Sequence, residues 1–290
     1  VTLVHLLFGP AAGRARAEGA AAVVEATVRA IGYETIDITG TDAAESLAAA
    51  RCAVEGGAAR LVVVGGDGMV HLALQAVAGS DAVLGVVPVG TGNDFARGLG
   101  VDAKGAVEDA TVRALDPPRL IDAIRTERGW VASVATAGFS GDVNARANSL
   151  RWPKGSSRYT IATLMAIPRL RSRRLSLIVD DAAHELDTAL LAVANTAWFG
   201  GGMQICPDAR PDDGQLDVTV VRDIGRISLL RYFPRVFSGA HLSHPATSTY
   251  RGRQVTIRAD EELDVWGDGE PLGPAPITFT AEPKALRLAI

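Results

Sequence analysis

Five acidic residues stand where the chain is punctuated by glycine or changes texture. Asp67 lies inside Gly65-Gly66-Asp67-Gly68, Asp94 closes Gly90-Thr91-Gly92-Asn93-Asp94, Asp122 sits in the apolar stretch "LIDAI", and Asp268 and Glu270 flank Gly269. Carboxylates on such turns suit metal-assisted phosphoryl transfer. That chemistry needs a cation to bridge phosphate oxygens, backbone donors to hold them, and a base near the acceptor hydroxyl. Glycines let a ligand approach the bare backbone, and a helix that starts after the turn offers N–H groups to an anion. An aspartate beside a phosphate repels it unless a divalent cation lies between them. Each acid also has a plainer use. Asp67 and Asp94 can cap helices, Asp122 can be a strand-edge charge, and Asp268-Gly269 can be a hairpin turn.

Other chemistries find less support. A phosphate loop of the G-x-x-x-x-G-K-[ST] type is missing, since "GPAAGRAR" has the wrong spacing and no lysine. The dinucleotide pattern G-x-G-x-x-G fails because "GTGNDFARG" puts Phe95 where the last glycine belongs. "AGFSGD" is not a nucleophile elbow, which leaves Ser140 a structural residue. The five histidines suggest no metal cluster, and His241 and His244 read as turn and packing residues. Cys52 and Cys206, the only cysteines, are far apart and lack metal-ligand spacing, which fits a reducing cytoplasm.

The elements that must carry these turns follow from periodicity. In the first 120 or so residues strands and helices alternate: "TLVHLLF" as a strand, an Ala-rich helix ending at Gly32, "YETIDIT" as a strand, a helix over Ala43 to Glu55, the apolar strand Leu61–Val64, a helix from Met69, and the strand "AVLGVVPVG". Alternation of this kind predicts a three-layer α/β domain with a parallel sheet. Ligands of such sheets sit outside the carboxyl ends of the strands, so the turns Gly9–Gly13, Gly65–Gly68 and Gly90–Asp94 are expected to face one crevice. Two adjacent prolines, Pro117 and Pro118, mark a domain boundary near residue 120. Beyond it, "WVASVATAGF", "RRLSLIVD", "ALLAVANTAWF", "QLDVTVVRD", "QVTIRA", "LDVWGDGE", "PITFTA" and "ALRLAI" read as short strands of a sandwich-like β domain, interrupted by helical segments at about 156–170 and 226–238. The expected division is 1–122 and 123–290, with the last strand returning to the first domain.

At 290 residues, two domains are the expectation. With 48% hydrophobic and 21% charged residues the composition is that of an ordinary globular protein, and a net charge of −4 gives no reason to expect nucleic acid. No apolar run approaches the roughly 20 residues of a membrane span, and the start "VTLVHLLFGPAAG" lacks the basic flank of a secretory signal. A homodimer is compatible with the sequence, which carries no signature of oligomeric state.

Taken in order, "VVVGGDGMVHLALQAV", "GVVPVGTGNDFARGLG", "PDDGQLDV", "SGAHLSHP" and "WGDGEPLG" resemble the diacylglycerol kinase catalytic family, which includes bacterial lipid kinases and sphingosine kinases. The resemblance covers nearly the whole chain. The glycine-aspartate-glycine turn is shared with NAD kinases and 6-phosphofructokinases, whereas "PVGTGNDFAR" with a late "DGE" belongs to the lipid kinases. It implies an enzyme dependent on ATP and Mg²⁺ that phosphorylates diacylglycerol to phosphatidic acid. Another lipid alcohol or a sphingoid base is the alternative acceptor, and a degenerate nucleotide- or lipid-binding sensor is the non-enzymatic alternative.

By resemblance, Gly9 and Gly13 with Thr39 contact nucleotide, Gly65, Gly66, Asp67 and Gly68 hold triphosphate and metal, Gly90, Thr91, Gly92, Asn93 and Asp94 form the third turn, and Asp122 occupies the acidic position that follows. "PDDGQLDV" implies a structural Mg²⁺ held by the Asp213 carboxylate and the carbonyls of Arg210 and Gln215. Glu270 is implied as the general base, with Asp268 as its orienter or metal partner, both domains contributing to one cleft. Departures exist too. The family's Asn-Pro-x-Ser-Gly is Gly9-Pro10-Ala11-Ala12-Gly13 here, and its Thr-Leu-Asn-Glu is Met69-Val70-His71-Leu72, which puts nucleotide preference in question. The partner expected is a lipid at the membrane surface, reached from the cytoplasm through basic amphipathic stretches that carry Arg169, Arg171, Arg173 and Arg174, and Arg226, Arg231 and Arg235. Helices that cover a sandwich edge with solvated arginines give the same pattern.

Overall fold

The apolar run Leu61–Val64 is, in the computed structural model, a strand in which no residue is more than 3% exposed. The structure describes residues 3–9, 14–101, 105–138, 172–222 and 225–290. Gly13, Ser140, the 156–170 segment, Arg169 and Arg171 lie outside the described residues. The chain divides into two compact units, one of Val1–Ala123 with Pro283–Ile290 and one of Ile124–Glu282.

In the first unit the order is β1 (Leu3–Phe8), α1 (Arg14–Ala30), β2 (Glu34–Asp37), α2 (Ala43–Glu55), β3 (Arg60–Gly65), α3 (Asp67–Val77), β4 (Val83–Pro88), α4 (Asp94–Gly98) and α5 (Val107–Arg113). The strands pair in parallel in the order β2-β1-β3-β4, with His5 opposite Leu61 and Val62 opposite Gly85. Arg287–Ala289 add a further parallel strand beside β4. Parallel sheets are covered on both faces, which is why Leu61–Val64 of β3 and the whole of β4 are apolar rather than alternating. The helices supply the cover. In α3 the buried residues Val70, Ala73, Leu74 and Val77 recur at helical spacing, while in α1 Val24 and Val28 lie one turn apart and are fully buried. Each such valine or leucine side chain, fully buried, contributes about 1.5–3 kcal/mol. Asp42 caps α2 by accepting from the Glu45 N–H at 2.9 Å.

The strand β5 (Arg119–Thr126) carries the chain from one unit to the other. The second unit continues with β6 (Gly129–Val131), β7 (Val134–Gly138), β8 (Arg173–Val179), β9 (Ala182–Ala194), β10 (Trp198–Phe199), β11 (Met203–Gln204), β12 (Leu216–Arg222), α6 (Arg226–Val236), a 3₁₀ turn at Ala240–Ser243, β13 (Thr247–Gly252), β14 (Gln254–Ala259), β15 (Asp264–Gly267), β16 (Glu270–Pro274) and β17 (Ile277–Ala289). It is β-rich and antiparallel. The long β9 pairs its first half with β8, and its second half with β7 on one side and β12 on the other. Leu175, Leu177, Leu191, Val193, Val218, Val220, Ile257 and Phe279 form the main core. A second cluster, Met203, Ile205, Cys206, Leu229, Tyr232 and Val236, lies under α6. The apolar face of α6 is therefore used in packing, and Arg231 and Arg235 are on its exposed side.

The fold class is the one expected, and the differences are local. The stretches read as two strands, "PITFTA" and "ALRLAI", are the single strand β17, which bends at Lys284 (φ 57). Its polar Glu282-Pro283-Lys284 interruption looks like a turn because it breaks the apolar alternation. α5 and β13 had no reading in the sequence. The exposed side chains of β13 alternate polar with polar, leaving no period-2 contrast to detect. Among the described residues, no helix is long and apolar enough to cross a membrane.

Candidate functional site

The carboxyl ends of β3 and β4 are neighbours, with Gly65 opposite Pro88, so the turns that follow them are brought together. They touch backbone to backbone. A Cβ on Gly90 would lie 2.4 Å from the Gly66 Cα, and the Val89 N–H donates to the Gly65 carbonyl at 3.0 Å. No residue with a side chain fits at Gly90 without separating the two turns, which is a physical reason for glycine there. Gly66 precedes α3 and caps it with no side-chain hydrogen bond. An anion is the natural complement of such a helix start.

Asp67 is the first residue of α3, and its carboxylate reaches across to the turn after β4. Its Oδ1 accepts from the Phe95 N–H at 3.0 Å, and its Oδ2 lies 2.9 Å from where a Gly92 Cβ would be. The carboxylate thus faces the second turn. Asn93 there adopts the left-handed conformation (φ 50, ψ 43), only 6% exposed, and its Nδ2 donates to the Gly90 carbonyl at 2.8 Å. Its Oδ1 is buried without a hydrogen-bond partner, beside the Gly66–Gly90 contact. A buried orphan amide oxygen is costly unless a ligand completes it. Asp94 is also 6% exposed and accepts from Arg97 Nη1 at 2.6 Å, which ties down the short α4. Thr91 is exposed at the tip of the turn.

The other residues singled out in this unit have separate surroundings. Thr39, after β2, accepts from the Phe8 N–H at 2.9 Å through its hydroxyl, which fixes it at the end of β1. Gly9 and Gly65 both face the Met69 side chain, with Met69 Cγ 3.1 Å and 2.6 Å from their respective Cβ positions. Met69 therefore puts an apolar thioether against the two glycines. Asp122, on β5 and 3% exposed, accepts from the Lys284 N–H at 2.8 Å. That bond closes onto the bend of β17.

In the second unit, Asp268 and Gly269 form a two-residue hairpin turn between β15 and β16, with φ of 52 and 89 and Gly267 opposite Glu270. The Asp268 carboxylate accepts from three backbone N–H groups, those of Ala132 at 2.7 Å, Ser133 at 2.8 Å and Val134 at 3.4 Å. It binds the β6–β7 connection to the hairpin. Glu270 is exposed at the start of β16. A carboxylate fixed by amides next to an open one is a pair with different tasks, the first holding geometry and the second available to a substrate.

The Asp213 loop differs from what the resemblance implies. Asp213 Oδ1 accepts from the Gln215 N–H at 3.0 Å, and its Oδ2 accepts from Arg251 Nη2. Arg251 Nε also lies 3.7 Å from Asp217 Oδ2. Burial raises the Asp217 carboxyl above its usual range, as do the charges of Asp213 and Asp208, and the Arg251 guanidinium opposes the rise. A cavity of about 660 Å³ opens here, with Asp208, Arg210, Asp212 and Asp213 on its wall. A guanidinium held against the proposed ligand repels a second cation, so these residues do not fit a structural Mg²⁺. Among the described residues, no group of three or more His, Cys, Asp or Glu side chains is arranged to hold a metal. Nearby, His241 is fully buried with its Nε2 donating to the Ile205 carbonyl at 3.0 Å, and His244 stacks edge-on against Tyr232. Burial pushes the Cys206 thiol up to about 12, which makes it inert packing material.

Comparison with known proteins gives a consistent picture. The model of the diacylglycerol kinase catalytic domain matches residues 3–125, and that of the YegS C-terminal NAD kinase beta sandwich-like domain matches 133–290. A diacylglycerol kinase of Mycobacterium tuberculosis is 37% identical over 292 residues, covering 98% of this chain and 94% of the relative. A YegS-like lipid kinase of Pseudomonas aeruginosa is 31% identical over 244 residues, 81% of this chain and 78% of its own. A crystal structure of a diacylglycerol kinase from Bacillus anthracis aligns with a TM-score of 0.76 over 99% of this chain and 96% of that one, at 18% identity. That last likeness concerns the fold.

Proposed function

The chain belongs to the diacylglycerol kinase family of lipid kinases, and from that membership we propose that it transfers the γ-phosphoryl group of ATP to the hydroxyl of diacylglycerol, giving phosphatidic acid. The observation that carries this reading is the Gly66–Gly90 contact together with the Asp67 carboxylate, which faces Gly92 and Phe95 in the same pair of turns. It leaves bare backbone, a helix start and a carboxylate in one place, the set that a nucleotide phosphate with a cation requires.

The phosphates are bound by the Gly65–Gly68 turn and the start of α3, with Gly90–Asn93 alongside. Hard oxygens suit a divalent cation, and this chain offers the Asp67 carboxylate and the orphan Asn93 Oδ1 there, so the residues fit Mg²⁺. When bound, such an ion offsets phosphate charge. Thr39 keeps its hydroxyl hydrogen to donate to the nucleotide, since the Phe8 amide uses only a lone pair. Asp94 and Asp122 are positioning residues, the first through Arg97 and the second through the Lys284 amide. Glu270 takes the proton of the lipid hydroxyl as its oxygen bonds to the γ-phosphorus and the bond to the bridging oxygen of ADP breaks. Asp268 holds the hairpin that presents Glu270. The acceptor lies in a bilayer, and the exposed Arg231, Arg235 and Phe237 are suited to an anionic lipid surface.

The test is transfer of label from γ-labelled ATP with Mg²⁺ to a panel of lipid alcohols, run beside Glu270→Ala. Label in phosphatidic acid that disappears in the variant supports the reading. Label confined to another lipid alcohol replaces the acceptor, and no transfer to any lipid with ATP still bound refutes the kinase reading.

A further inference from the structure

The loop at Asp213 is built around an arginine in a way that neither the family assignment nor the proposed reaction uses. Arg251 lies on β13 directly opposite Asp217 on β12, and from that register it reaches the loop before β12. One guanidinium then serves two carboxylates, Nη2 donating to Asp213 Oδ2 and Nε lying 3.7 Å from Asp217 Oδ2. Asp217 Oδ2 is buried and has no hydrogen-bond partner, so the charge of Arg251 is what compensates it. Asp208 and Asp212 add to the negative charge around the same cavity. The Asp213 side chain is 23% exposed and that of Asp217 17%, so a nearby positive charge is only partly screened by water. Planar and always charged, a guanidinium can bridge two carboxylates as a metal ion would, but it is covalently part of the chain.

We propose that Arg251 is the built-in cation of this loop, joining the Asp213 and Asp217 carboxylates where the family resemblance implies a divalent ion, so that the second unit holds its structure without metal there. The two are alternatives at one place. Removing the guanidinium leaves the Asp213 and Asp217 carboxylates without their compensating charge, and a hard cation on the Asp213 oxygens then becomes favourable. This inference is independent of which lipid is phosphorylated.

The experiment measures thermal unfolding of the full chain without nucleotide, in chelator and in millimolar Mg²⁺, for the wild type, Asp213→Asn, Arg251→Gln and the double variant Arg251→Gln with Asp213→Asn. The wild-type midpoint is expected to be the same in both solutions. Arg251→Gln is expected to melt lower in chelator and to recover by roughly 5 °C in Mg²⁺, a gain that the double variant loses. A wild-type midpoint that drops in chelator, with Asp213→Asn abolishing the drop, overturns the proposal, as does an Arg251→Gln protein indifferent to Mg²⁺. If Arg251→Gln fails to fold, Mn²⁺ titration of the nucleotide-free wild type followed by electron paramagnetic resonance decides. An Mn²⁺ bound in a way that Asp213→Asn removes overturns the proposal, and no such ion supports it.

Discussion

Asp67 accepts the backbone N–H of Phe95 at 3.0 Å, a bond across 28 positions of sequence that joins the start of α3 to the first turn of α4. The same carboxylate is the charge that the proposed reaction needs beside the phosphates. Two variants separate these uses. Asp67→Asn keeps an oxygen for Phe95 and removes the charge, whereas Asp67→Ala removes both. Activity is expected to fall about 10²–10³-fold in both. Only Asp67→Ala is expected to lose stability, by about 1–2 kcal/mol, since the hydrogen bond is partly exposed. Steady-state kinetics beside urea unfolding checks this, and full activity in Asp67→Asn would reduce the carboxylate to a structural acceptor.

Two glycines of the same region are predicted to respond in opposite directions. A Cβ at Gly90 meets the Gly66 Cα at 2.4 Å, backbone that cannot rotate away, while a Cβ at Gly68 meets nothing within 4 Å. Gly90→Ala should destabilise by about 1–3 kcal/mol or more through overpacking. Gly68→Ala should stabilise by about 0.5–1 kcal/mol, because alanine is the better helix former at this exposed position of α3. If Gly68 serves close approach of a phosphate, the stabilised variant will bind ATP more weakly. Unchanged affinity would remove Gly68 from the nucleotide site.

Asp268 and Glu270 are two residues apart and predicted to fail differently. Asp268→Asn turns an amide group toward the N–H groups of Ala132 and Ser133, so it should lower stability by about 1.5–3 kcal/mol. Glu270→Gln, at an exposed position, should leave the melting temperature nearly unchanged and reduce kcat by about 10²–10⁴-fold. A Glu270→Gln enzyme with normal kcat would exclude that carboxylate as the base.

What could be read in the sequence and what could not divides by distance along the chain. Leu61–Val64 with its glycine turn was legible because strand, turn and helix start are all within a dozen residues, each with its own local signal. The closeness of Gly66 to Gly90 is set by the β3–β4 register, and its tightness has no signature beyond glycine itself. Arg251 is 38 positions from Asp213, and Asp268 is 136 from Ala132. No pattern in "TSTYRG" singles out its arginine as the partner of two aspartates. Nor does "GDGE" reveal that its aspartate binds three amides while its glutamate stays open. Resemblance named Asp213, Asp268 and Glu270 but not Asp217, and their immediate partners come from strand pairing that brings distant segments together.

His241 gives the last prediction, a pH dependence. Its ring is fully buried, donates to the Ile205 carbonyl and meets Tyr232 edge-on at 5.9 Å. Burial lowers its pKa below the ordinary 6.5, and the backbone hydrogen bonds oppose this only in part. The unfolded chain therefore takes up a proton at higher pH than the folded one. Stability from the neutral ring is complete above pH of about 6.5 and is lost as pH falls from there toward the folded-state pKa, with a slope of at most about 1.4 kcal/mol per pH unit. His241→Gln retains a donor for Ile205 and cannot titrate. The variant should be less stable at neutral pH for lack of ring packing, yet lose less on acidification than the wild type. Urea unfolding of both proteins from about pH 8 to pH 5 measures the difference, and parallel curves would show that His241 takes no part in the acid response.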